Sequence, residues 1–425
     1  MTTTTTPAPS AAFAEPQRAV TGGWIAAFAA AWLGIWMAQL APLQVMLPVQ
    51  VDGLMGIDGD WRASVLALGT ISGIAAACSV IAFPLTGFLS DRTTSKLGRR
   101  RPWAIGGALV FAAGLVALGF ADSIVLVGVF WSIAITGYCT LVSALTALIS
   151  DSVPVRQRGF VSGWMSAPQA IGIILGTILV TEVFLTAMFG YLAMAIGLVV
   201  LMAPILIVAK EIPITKAERP EATVSAFFRG LWISPKKHPD FAWTLTSRVL
   251  VNLGNALGTG LLLYFLAFGL GLGIEKAEES FLPLVVVYLV AVVSSALVAG
   301  WISDRLARRK IFVVWGALLQ AVAALVLVFI TSYEAVFIGG ALLGLGYGAF
   351  LAVDQALATQ VLPDPADRGK DLGIMNIAQQ VPQALALLLG ALVVAALGGF
   401  SGLFILSALA TVLGALVVSL VRDVR

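Results

Sequence analysis

Two ionisable side chains stand deep inside long apolar runs of this sequence: Arg248 in the run 241–272 and Asp354 in the run 335–362. A charge within a bilayer is costly and persists chiefly where it meets a partner, a cavity or water, so both positions point to function. At a rise of about 1.5 Å per residue, Arg248 lies ~10 Å past Phe241 and Asp354 ~12 Å before Leu362, which are matching depths from one membrane face. A fixed salt bridge that satisfies two buried charges and a proton or solute site both remain open here. Arginine keeps its proton under all ordinary conditions. Asp354 is therefore the titratable member, and Asp354 with Arg248 is the candidate device for proton coupling.

Arg248 also heads a polar stripe on an otherwise apolar helix, with Asn252, Asn255 and Thr259 following at i+4, i+7 and i+11. Such a stripe is expected to face water or solute rather than lipid. The run 371–396 repeats the arrangement with Asn376, Gln379 or Gln380, and Gln383, where hydrogen bonding between packed helices is the alternative to ligand contact. In the first run, Trp32, Trp36 and Gln39 share a face, with Gln44 beyond Pro42. Aromatic faces beside amides suit a sugar, whose C–H face stacks on a ring while its hydroxyls seek donors and acceptors. Trp36, Gln39, Asn252 and Asn255 are thus the candidate solute contacts, and Tyr138 in the fourth run joins them. The single histidine, His238, sits in a hydrophilic loop, and Cys78 and Cys139 lie in apolar stretches without ligand spacing, so neither a metal site nor a disulfide framework is expected.

Helices must carry these residues. Of the 425 residues, 60% are hydrophobic and 11% charged, and the mean hydropathy is +1.00, which excludes an ordinary water-soluble enzyme. A spanning helix needs about 20 mostly apolar residues. Twelve such runs are present, at 24–49, 62–89, 102–121, 124–150, 159–184, 188–209, 241–272, 281–302, 311–331, 335–362, 371–396 and 399–421. They are continuous and too long for the alternating strands of a membrane barrel. With the amino terminus inside, all but three of the 25 Lys and Arg residues (Arg62, Arg248 and Lys276) fall on the cytoplasmic side, which predicts two cytoplasmic termini in a plasma or bacterial inner membrane. Residues 1–22 read as a disordered tail, 23–210 and 241–425 as two six-helix bundles, and 211–240 as a cytoplasmic linker. No surface suited to nucleic acid and no phosphate-binding Gly-x-x-x-x-Gly-Lys-Ser/Thr loop is present.

The two bundles are copies. Gly87-Phe-Leu-Ser-Asp91-Arg92 after the second run recurs as Gly300-Trp-Ile-Ser-Asp304-Arg305 after the eighth, and Pro168-Gln169 in the fifth is echoed by Pro382-Gln383 in the eleventh. Parallel repeats of six spans place a solute site between the bundles near the midplane. With Gly98-Arg99-Arg100 completing the loop after Asp91-Arg92, and Arg308-Arg309-Lys310 its weaker copy, the chain resembles transporters of the major facilitator superfamily over all but its tail. The longer spelling from Ser90 to Pro102, and His238-Pro-Asp-Phe followed by Ser247-Arg248, is similar to the sucrose transporter and glycoside-pentoside-hexuronide symporter branch. The acidic pair that sodium-coupled glycoside symporters carry in the second span has no counterpart, which points to the proton as coupling ion, with no other cofactor.

That resemblance implies an all-α fold in which the first, fourth, seventh and tenth spans line the cavity. It also implies an inner gate built from Asp91, Arg92, Arg99 and Arg100 with Asp304 and Arg305. Asp91 and Asp304 end their helices where the dipole disfavours negative charge. Asp91 is therefore expected to meet the start of the eleventh span near Arg368, and Asp304 to meet Arg158 at the start of the fifth. The expected function is proton-coupled transport of a small polar solute, a sugar or glycoside, by a monomer in the lipid bilayer. A proton-driven exporter of amphiphilic compounds and a non-transporting membrane assembly factor are the alternatives. Gly163-x-x-x-Ala167-Pro168 falls one residue short of the antiporter motif Gly-x-x-x-Gly-Pro.

Overall fold

The computed structural model describes residues 16–55, 61–184, 186–215, 235–306, 308–330, 332–360 and 368–421. Most of the tail and linker expected from sequence falls outside these ranges. Twelve spans are formed. Helix α1 (Gly22–Ala41) continues through a π turn at Pro42–Met46 and the helical stretch Leu47–Met55. It is followed by α2 (Trp61–Ser90), α3 (Arg101–Leu118), α4 (Ile124–Ser152), α5 (Val155–Ile178) and α6 (Ala187–Val208). The second bundle comprises α7 (Pro239–Gly260, extended by Leu262–Tyr264 and a π turn at Phe265–Gly269), α8 (Ile274–Leu306), α9 (Arg309–Phe329), α10 (Tyr333–Gln360), α11 (Arg368–Leu397) and α12 (Ser401–Ser419). Ten of these are long and apolar enough to cross a bilayer unaided, while α5 and α11 contribute the shorter stretches Pro168–Val183 and Val381–Leu397 around their internal prolines.

One boundary departs from expectation. Helix α8 starts at Ile274, ahead of the apolar run, so Glu275, Glu278 and Glu279 lie on its first turns and not in a loop. Carboxylates at a helix start meet its free N–H groups and positive dipole end, which lets the helix extend beyond its apolar part. Asp52 likewise belongs to a helical stretch.

Helix α1 is apolar on every side, and it is buried along most of its length against α5 and α6. Lipid offers apolar helices no hydrophobic reason to associate, so close backbone approach must hold them together. Gly107 and Gly137 supply it between α3 and α4, since a Cβ on either would strike the facing backbone. Gly316 and Gly346 do the same 209 positions later between α9 and α10, so the repeat in sequence is a repeat in packing.

The basic loops gather at one end of the molecule. There Val20 exchanges hydrogen bonds with Gln157 at 2.9 and 3.2 Å, and Lys310 donates to the Val421 carbonyl at 2.7 Å. At the far end, contacts across the two bundles close the seam. Trp61 stacks with Phe268 and with Phe400, ring centroids 5.6 and 5.5 Å away. The Tyr264 hydroxyl donates to the Pro48 carbonyl at 2.9 Å, and Gly69 lets α2 lie directly on Leu387 and Ala391 of α11.

Each aromatic pair contributes about 0.5–1.5 kcal/mol beyond its buried area. Trp61→Ala should therefore shift the equilibrium toward the form open at the far end by about five- to 150-fold. The check is labelling of Gln44→Cys by an impermeant maleimide from that side, with Cys78 and Cys139 replaced by alanine. Labelling as slow as in the parent would place the closure elsewhere.

Candidate functional site

The structure brings Arg248 and Asp354 together: Nε lies 3.1 Å from Oδ2, with both side chains almost wholly buried. The contact is one of opposite charges without hydrogen-bond alignment, and Nη1 has no hydrogen-bond partner among the described residues. Nη2 donates to Oε1 of Gln379 on α11 at 3.1 Å, so one guanidinium joins three helices. Above it toward the far end runs a ladder of polar groups. Asn252 Nδ2 donates to the Arg248 carbonyl at 2.8 Å, and its Oδ1 accepts from the Tyr347 hydroxyl at 3.0 Å. One turn higher, the Asn255 amide and the Tyr288 hydroxyl lie 3.3 Å apart.

At the top of this ladder lies a cavity between the bundles, with about 110 Å³ open to the centre of a water molecule, several times what one water requires. Gln44 of α1's π turn and Gln169 of α5 face it from the first bundle; Asn255, Thr259, Tyr347 and Gln383 face it from the second. The repeated Pro-Gln dipeptides thus supply one amide from each side. Pro168 and Pro382 lie inside α5 and α11, where each removes one helical hydrogen bond.

Other expected contacts lie elsewhere. Trp36 does not face the cavity: its indole donates to the Met165 carbonyl at 2.7 Å, in the turn disrupted by Pro168. Leu40 and Leu43, one and two turns further along the same face, line the cavity instead. Gln39 is buried with its Oε1 lacking a hydrogen-bond partner among the described residues. Tyr138 packs edge-on between Phe83 and Phe111 inside the first bundle. Asn252 is a rung of the ladder, with its two polar ends already occupied. The side chains of Asn376 and Gln380 lie outside the described residues. Gln169, Tyr288 and Tyr347 were not singled out as solute contacts, and the echo of Pro168-Gln169 in Pro382-Gln383 is the signal that could have found Gln169.

At the basic end, Asp91 is held by Arg100 of its own bundle, through Nη2 and Oδ1, and not by a described side chain of α11. The same guanidinium donates to Ser90 at 2.6 Å and Asp151 at 2.8 Å, and Arg99 pairs with Asp151 at 3.0 Å. Glu211 completes the clasp by accepting from the backbone N–H groups of Arg100 and Arg101 at 2.7 and 2.8 Å, where α3 begins and its dipole is positive. Burial works against the Arg100 charge, but Asp151 and then Asp91 outweigh it and raise its pKa above the ordinary arginine value, so it stays charged at any physiological pH. Arg92 lies over the Phe88 ring and donates to the Phe88 carbonyl at 2.9 Å. Arg305 is exposed at the end of α8. The side chains of Asp304, Arg158 and Arg368 lie outside the described residues, so the cross-bundle pairs expected for them are not among the observed contacts.

Among the described residues no group of three or more His, Cys, Asp or Glu side chains is placed to hold a metal. Comparison with known proteins agrees with this architecture. The inner membrane transport protein YajR of Escherichia coli is 32% identical over 182 residues, 42% of this chain and 36% of that protein. The sucrose transport protein SUC4 of Arabidopsis thaliana is 32% identical over 91 residues, 21% of this chain and 16% of that protein. The chain thus covers little more than a third, or less, of the length of these curated relatives. A solved structure of the peptide transporter POT superposes with a TM-score of 0.69 over 95% of both chains at 13% identity, a likeness of fold alone. Residues 19–286 and 249–425 match the Major Facilitator Superfamily, together covering all but the first 18 residues, and this chain belongs to that superfamily.

Proposed function

We propose that the chain is a proton-coupled secondary transporter of a small neutral solute, a sugar or glycoside, of the sucrose transporter and glycoside symporter branch. It works by alternating access in a plasma or bacterial inner membrane, with both termini cytoplasmic, and in the form described here its cavity is shut off from the outside. The observation that carries this reading is the ladder that joins the Arg248–Asp354 pair, through Asn252 and Tyr347, to the cavity wall. The described polar groups on that wall are amides and hydroxyls, with no charged side chain among them. Neutral donors and acceptors match a solute rich in hydroxyls, whereas an ionic solute would leave its charge unpaired in a poorly solvated space. The partial likeness to a sucrose transport protein supports the same class.

Coupling follows from position. Arg248, Asp354 and Gln379 all belong to the second bundle, so rigid rocking of one bundle against the other does not part them. Solute does so indirectly: a hydroxyl that engages Tyr347 or Gln383 pulls on Asn252 and hence on the α7 backbone at Arg248. Once the guanidinium withdraws, a bare buried carboxylate takes up a proton in preference to remaining charged and unpaired.

Asp354→Asn should abolish accumulation driven by an acidic exterior yet retain exchange of labelled for unlabelled solute in proteoliposomes. Uphill transport surviving in that variant would move coupling to another carboxylate, Asp151 first. Removing one member of a buried ion pair costs about 3–5 kcal/mol, while replacing both by apolar side chains is often neutral. Arg248→Met should accordingly melt well below the parent, and Arg248→Met with Asp354→Leu should regain most of the loss. A double variant no more stable than the single would mean that the pair does not act as a unit. For the solute itself, Asn255→Ala and Gln383→Ala should each weaken binding about five- to 150-fold, the loss expected for one buried hydrogen bond. Equal affinities in parent and both variants would place the solute elsewhere.

A further inference from the structure

Thr244 stands one turn, about 6 Å, below Arg248 on α7, between the ion pair and the start of the helix at the basic end. It is 1% exposed, and its hydroxyl has no hydrogen-bond partner among the described residues. A threonine inside a helix can satisfy its hydroxyl by donating to the carbonyl four residues back. Thr246 does so to Ala242, Thr136 to Ser132 and Thr259 to Asn255. Thr244 makes no such bond to Asp240.

A second unpartnered atom lies over it. Side chains on a helix lean toward its amino terminus, onto the residues three and four positions back. Arg248 therefore reaches down over Thr244, and Nη1 of its guanidinium is without a hydrogen-bond partner. The other two guanidinium nitrogens are engaged, Nε beside Asp354 and Nη2 with Gln379. The opposite face of α7 offers neither group anything, since Ser247, Val251 and Gly254 pack on α12. Arg248 is the only described charged group that acts on Asp354, and the Tyr347 phenol is the other ionisable group beside it. Unpartnered buried donors and acceptors are costly, and internal water, which makes about three hydrogen bonds per molecule, is the common way of satisfying them.

We propose that Thr244 and Nη1 of Arg248 hold a water, and that this water and the Thr244 hydroxyl form the path by which Asp354 exchanges its proton with the cytoplasm. The inference rests on Asp354 being the coupling group. Nη1 donates to the water oxygen, and the water donates to Thr244 Oγ1. When the guanidinium returns to a protonated Asp354, the carboxyl O–H bond breaks and its electron pair stays on the carboxylate. The proton adds to the water, which gives the proton it shares with Thr244 to Oγ1. Thr244 in turn passes its own hydroxyl proton to solvent water, a hydroxyl being both donor and acceptor. Each relay oxygen gains one proton and loses one, so no second cation is left beside the guanidinium. Phe241, buried on the same face of α7 one turn nearer the basic end, limits how fast solvent reaches Thr244.

The test follows the Asp354 carboxyl itself, in protein reconstituted in lipid nanodiscs. Infrared spectroscopy after a pH jump records its C=O stretch, identified as the titrating band that Asp354→Asn removes. Thr244→Val, which keeps the shape and loses the hydroxyl, should slow the rise and decay of that band at least about tenfold. Thr244→Ser should restore the parent rate. Phe241→Ala should exchange faster than the parent, a gain that misfolding cannot produce. An unchanged rate in Thr244→Val, equal slowing in Thr244→Ser, or no gain in Phe241→Ala overturns the path and leaves Asp354 as the coupling group. A parent protein with no titrating band that Asp354→Asn removes overturns the coupling role as well.

Discussion

A guanidinium and a carboxylate buried in a bilayer have no low-energy arrangement except together, and this constraint on Arg248 and Asp354 organises the second bundle. It sets α7 and α10 at one depth, and through Gln379 it draws in α11. The groups stacked on it, Asn252 with Tyr347 and then Asn255 with Tyr288, take their heights from the pair. Had either charge stood one turn higher, the amides that line the cavity would be consumed in satisfying it. A charge pair placed below the cavity leaves the lining neutral while keeping it in electrostatic and mechanical contact with a titratable group.

The pseudo-symmetric bundles divide the work. The first is filled by aromatic side chains: Trp24, Phe28, Trp32 and Trp36 run along α1 in ring contact, Phe111 of α3 packs edge-on against Tyr138 of α4, and Trp131 is buried. It presents a firm wall to the seam, with Gln44 and Gln169 as its polar contribution. The second bundle holds the ion pair and the ladder.

The two ends of the seam use different forces. The far end is closed by stacked rings and by small residues that let α2 lie on α11, interactions of short range that vanish with modest separation. At the basic end the described charge contacts lie within the first bundle, with Arg100 between Asp91 and Asp151 and Glu211 capping the start of α3.

Sequence by itself determined the twelve spans, the twofold repeat, the sidedness of the basic loops and the depth of the two intramembrane charges. Each depends on properties local in the chain or forced by the bilayer: apolar length, a repeated motif, and the cost of an unpaired charge. The polar stripe on α7 was legible for the same reason, because 3.6-residue periodicity shows which residues share a face. Tertiary structure alone decided which turn of a face meets the cavity. Trp36 and Asn252 lie on the faces expected of them, yet the cavity opens one turn further along, at Leu40 and Gln44 and at Asn255 and Thr259. Height along a helix is set by how neighbouring helices pack and by local breaks in helical hydrogen bonding, at Pro168, at Pro382 and at the π turn of Pro42–Met46, which periodicity does not encode.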